Sequence, residues 1–182
     1  EISEINEDFE RMEIRLLNIL VDDETYSNKA LSRAMKNTVL QNKKDSFEKF
    51  FQLYRGNNYF SLKAYSKLAN YYFDNGDLDK AFNFSALNVI TSVTKIQEII
   101  SKRNISYEFK NLESLLYQVQ YYDDVIDWGD ENEIWSSFNL LAKISSELGN
   151  KDFAIKLLKS IAQYSPDEYW RKEAVLQISY FE

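Results

Sequence analysis

Cysteine and histidine are both absent from this 182-residue chain. Without Cys there are no disulfides, no thiol nucleophiles and no Cys-ligated metal sites, and the compartment is left undecided. Without His, the usual Ser-His-Asp and Cys-His arrangements and His-ligated zinc sites cannot be built. Glycine occurs four times and proline once, too rarely for a chain of many strands and tight turns. The glycines are isolated, so no phosphate-cradling loop exists. No stretch approaches the roughly 18 consecutive apolar residues of a membrane span. A formal charge of −7 argues against a nucleic-acid partner held through its phosphates. An enzyme is therefore not expected, and no cofactor is implied. A carboxylate-based hydrolase is the catalytic class that the composition leaves open, although the acidic residues sit at helix starts and on solvated faces.

What the chain does contain is helical periodicity with an internal repeat. In residues 62–84, Tyr65, Leu68, Ala69 and Tyr72 share one helical face. Asn75-Gly76-Asp77 ends that helix, with Gly76 free to turn left-handed, and Ala81 and Phe82 open the next apolar face. Ala69 and Ala81 are small where antiparallel helices come closest. Residues 135–157 repeat the constellation as Phe138, Leu141, Ala142, Gly149, Asp152 and Ala154.

This spacing resembles the tetratricopeptide repeat, a helix-turn-helix unit of about 34 residues. The resemblance implies an all-α fold of antiparallel helix hairpins stacked as a short right-handed α-solenoid, about 8–9 helices in all. One domain over 1–182 is expected. It would comprise a weak repeat at 28–61, a good repeat at 62–95, a non-standard hairpin at 96–134, a good repeat at 135–168 and a capping helix at 166–181. In the weak copy Leu31 and Ala34 fit, while Asn42 replaces the glycine and Phe47 takes a small-residue place. Ser85, Asn88, Leu158 and Ile161 also depart from the family pattern.

Taken in order, residues 4–21 predict an amphipathic helix with a stripe of Ile5, Phe9, Met12, Leu16, Ile19 and Leu20. Asp22-Asp23-Glu24 reads as an acidic first turn. Helices follow over about 25–40 and 45–55, then a turn at Arg55-Gly56-Asn57-Asn58. A long second helix runs over about 78–102. Ser106 reads as the cap of a helix over 107–126. Asp123, Asp124, Asp127, Asp130, Glu131 and Glu133 could suggest calcium, but the spacing of a calcium loop is missing. Asp130 with Glu133 reads instead as a capping pair for a helix beginning at Glu131. Ser165, Pro166 and Glu168 read as cap, first position and third position of the last helix. No metal site is expected.

In the repeat register, Lys63, Lys67 and Asn70 face the concave groove. Lys29, Arg33 and Lys36 stand 34 residues earlier, and Asn139 and Lys143 occupy such places in the later copy. Phe73 follows as an apolar contact. Related chaperone-binding domains hold a peptide's terminal carboxylate with Lys, Arg and Asn at such positions. The resemblance thus implies a non-enzymatic scaffold binding an acidic or carboxylate-bearing segment of another protein in a basic groove. A solvated Lys-rich helix face is the alternative for these residues. A second functional reading is a structural or assembly domain of a bacterial envelope complex, self-associating through the helix 78–102 or an exposed aromatic face. The start at Glu1, without Met, suggests that a leader, an N-terminal region or a tag was removed. The expected location is accordingly either the envelope, as the mature part of an exported protein, or the cytoplasm.

Overall fold

Two helical hairpins form the centre of the structure, a computed structural model. It describes residues 2–41, 43–56 and 59–182, with side chains from Glu7 onward. Glu1, Asn42, Asn57, Asn58 and the side chain of Ile5 lie outside the described residues. In the first hairpin α5 (Leu62–Asp74) turns into α6 (Leu78–Arg103), and in the second α9 (Ile134–Glu147) turns into α10 (Lys151–Tyr164).

The two turns are built alike. Gly76 and Gly149 adopt φ of +78° and +95°. The amide of Asp77 donates to the Tyr72 carbonyl and that of Asn150 to Ser145, both at 2.9 Å, closing the helix end in a Schellman motif. The same two residues then cap the next helix, accepting from the amides of Lys80 and Phe153. A Cβ at either glycine would meet nothing within 4 Å, so only the backbone opposes substitution. Gly76→Ala and Gly149→Ala should each lower stability by about 1–2 kcal/mol, the cost of a left-handed residue with a side chain. Urea melts of both variants test this; an unchanged midpoint would contradict it.

The hairpins pack α6 against α9, and α11 (Glu168–Phe181) continues the series on α10. A second set of helices covers α6 and α10. Here α3 (Lys29–Leu40) packs on α6, α4 (Ser46–Gln52) on α3 and α10, and α7 (Leu112–Val119) on both α6 and α10. Consequently α6 is surrounded, and Phe84 to Val93 is an unbroken buried run. A helix apolar on every side is an interior helix. Two of its polar residues bond outside the helix: Asn88 donates to the Leu62 carbonyl at 2.9 Å, and Thr91 to the Arg55 carbonyl at 3.2 Å, whereas the buried Ser85 hydroxyl has no partner. Asn88, a departure from the repeat pattern, thus anchors the start of α5.

The remaining helices are α1 (Ile2–Ile19), α2 (Glu24–Ser27) and α8 (Asp123–Glu131). The chain is all-helical, with no strand among the described residues. The described residues form eleven α-helices where 8–9 were expected, because two predicted segments divide. The 25–40 segment breaks at Asn28, which caps α3. The 107–126 segment is not one helix. Residues 107–111 cross against α4, with Phe109 on Tyr54 at 4.6 Å and Gln52 donating to the Lys110 carbonyl. Asn111, not Ser106, then caps α7. Leu112, Leu115, Leu116 and Val119 of α7 are buried, and Asp124 of the separate α8 reaches Arg103 at the end of α6, 2.7 Å away.

Two predicted caps are also corrected. Glu131 ends α8 rather than starting a helix, and Glu133 precedes α9 in a left-handed conformation, φ +52°, without capping through its side chain. Asp167, not Ser165, caps α11; Ser165 terminates α10. In α1 Leu16 is buried and Met12 packs against the core, Leu20 is buried just past its end, and Phe9 and Ile19 of the predicted stripe are exposed.

Candidate binding cleft between α1 and α5

Helix α1 lies on α5 because three contacts hold it there. Phe9 stacks on Tyr71, ring centroids 5.8 Å apart. The Tyr72 hydroxyl donates to the Glu13 carboxylate. Beyond α1, Asp23 is 1 % exposed and accepts from the Thr25 and Tyr26 amides at 2.9 and 3.0 Å and from the Tyr65 hydroxyl at 2.8 Å. Asp23 therefore caps α2 and pins the chain's return to α5 at once. Burial first, then the facing carboxylates Asp23 and Glu13, raise the ionisation of Tyr65 and Tyr72 above the ordinary tyrosine range.

Where α1 and α5 diverge they leave a cleft of about 630 Å³. Its walls are Phe9, Glu10 and Met12 from α1, Ser66, Lys67, Asn70, Tyr71 and Asp74 from α5 with Asn75 just past its end, and Glu133 ahead of α9. Of the residues that the sequence assigned to a concave groove, Lys67 and Asn70 line this cleft. Asn70 donates to the Ser66 carbonyl at 2.8 Å. Lys63 is exposed one turn away on the same face of α5, outside the cleft.

The other expected site residues are not gathered here. Lys29 and Arg33 are exposed on α3, which packs on α4 and α6. Lys36 is paired with Asp79 of α6 at 2.8 Å. Phe73 is half-buried against the core. Asn139 is 5 % exposed, with its Oδ1 lacking a hydrogen-bond donor, and so cannot meet a ligand at the surface. Lys143 is half-buried on α9 and does not line the cleft. The reason is one of stacking: α6 accepts α9 and α3 on its sides, so α3 does not extend the face of α5.

Phe9, Glu10, Met12 and Glu133 were not expected in a site. Phe9 and Met12 carried a signal, their helical spacing, but it read as core. For Glu133 no local pattern points to the cleft. The acidic stretch 123–133 is not drawn into a metal site; among the described residues no group of three or more carboxylates is placed to hold an ion. Asp130 is held above the usual carboxylate range by burial and then by Asp167 and Asp127. No helix among the described residues is long and apolar enough to cross a membrane.

Comparison with known proteins returns no matching family model and no matching solved structure. The chain is similar to an uncharacterized protein of Treponema pallidum (strain Nichols), 24 % identical over 166 residues. That alignment covers 90 % of this chain and 44 % of the relative, so the chain spans less than half of the relative's length.

Proposed function

We propose that this chain is a non-enzymatic, tetratricopeptide-like scaffold that holds a segment of another protein in the α1–α5 cleft. The observation that carries the reading is the cleft itself: an open groove of the size of a ligand pocket, in which Phe9, Met12 and Tyr71 stand among seven polar or charged residues. The twin hairpins, with matching left-handed glycines and capping residues, support the repeat-like reading of the frame. A photo-cross-linking residue at Asn70 should yield a discrete adduct in source cells. The same residue at Lys159, exposed on α10, should not. Adducts from Lys159 alone would move the site off the cleft.

A second reading, self-association, is favoured by one surface. On α11, Tyr169, Val175, Leu176 and Tyr180 are exposed, the last at 75 %. Glu168 and Lys172 on that helix pair at 2.7 Å, so a second copy would meet little like-charge repulsion. The long helix α6 offers less surface, since its middle, Phe84 to Val93, is buried. Under this reading, light scattering at high concentration finds a dimer that Leu176→Glu with Tyr180→Glu dissociates. A monomeric wild type would end it.

A further inference from the structure

We infer that the segment held in the α1–α5 cleft is cationic and apolar, not acidic; this rests on the scaffold reading above. The charges decide it. The cleft's walls carry Lys67 against Glu10, Asp74 and Glu133. Adding the neighbouring Lys63 still leaves carboxylates in excess. An incoming carboxylate would face three like charges, whereas a Lys or Arg head finds three acceptors spread over α1, α5 and the start of α9.

The apolar part of the site fits the same ligand. Phe9 and Tyr71 present two stacked rings, tilted by 28°, and Met12 adds a pliable apolar surface. Aromatic faces attract ammonium and guanidinium groups, and the methylene stems of Lys and Arg lie well along them. Glu133 adds a further point. Its left-handed backbone turns the chain into α9, which packs on α5, and the residue itself lines the cleft. The selected ligand is therefore a short protein segment in which basic and large apolar residues are mixed.

The test uses a phage-displayed random peptide library panned on the intact chain. The clones are then assayed against three variants. Glu10→Gln/Asp74→Asn/Glu133→Gln removes the charges at constant size; Asn70→Trp fills the cleft; Lys63→Glu/Lys67→Glu reverses the cations. The inference expects peptides rich in Lys or Arg beside Phe, Trp or Leu. They should weaken about tenfold on the triple variant, three exposed pairs each contributing modestly. They should be lost on the filled cleft and hold at least as tightly to the reversed one. Their binding should also weaken with salt. Acidic peptides lost on both the filled and the reversed clefts would overturn the cationic ligand and leave the scaffold reading in place. Peptides indifferent to the filled cleft, or no enrichment over it, would overturn both.

Discussion

Replacing Phe153 with alanine should destabilise the protein by about 3–5 kcal/mol, the range for truncating a fully buried phenylalanine. Phe153 is 1 % exposed and lies on the first turn of α10. Its ring meets Phe47 and Phe50 edge-on at 5.5 and 5.3 Å, and Phe51 face to face at 6.4 Å. Those three rings are most of what α4, a seven-residue helix, contributes to the core. So short a helix has no independent stability. Its attachment therefore depends on this ring cluster. Phe153→Leu keeps most of the volume and should cost less than half as much. Urea unfolding of both variants, with amide exchange in α4, separates global from local loss. A shift below about 1 kcal/mol for Phe153→Ala would mean that the cluster collapses around the gap at little cost.

Asp23→Ala should cost about 3 kcal/mol, because one buried carboxylate satisfies three donors. The Thr25 and Tyr26 amides lose their cap, and the Tyr65 hydroxyl, buried between α1 and α5, loses its acceptor. Asp23→Asn keeps an acceptor and should cost roughly half of that. A double-mutant cycle with Tyr65→Phe isolates the link between the segment after α1 and α5, with a coupling of about 1–2 kcal/mol expected. The consequence reaches the cleft, whose α1 wall relies on this anchor. Loss of peptide binding in Asp23→Ala at temperatures where the chain is still folded would be the functional sign. A coupling near zero would show that water replaces the Asp23–Tyr65 bond.

Much of the architecture could be read before the structure. The offsets of Ala69, Gly76 and Ala81, repeated at Ala142, Gly149 and Ala154, locate both hairpins to within a residue or two. These signals are local: a small residue at a helix contact and a glycine at a left-handed turn act within a few positions of themselves. The site was less legible. Lys67 and Asn70, read from the face of their own helix, line the cleft. Lys29, Arg33 and Lys36 were added by extending the repeat register, and α3 does not follow that register in space. Phe47, at a place where the repeat needs a small side chain, was the available warning. Its ring packs on Phe153 of α10.

Helix class, the two turn positions and the lack of thiol and imidazole chemistry were settled by the sequence itself, because each depends on residue type and short-range spacing. Which helices meet is a different matter. That the middle of α6 is enclosed, that α1 faces α5, and that Glu133 lines the same cleft as Glu10, Lys67 and Asp74 all depend on contacts between residues far apart in the chain. Such contacts follow from the shared burial of many side chains, and the charge balance of the cleft exists only once they have formed.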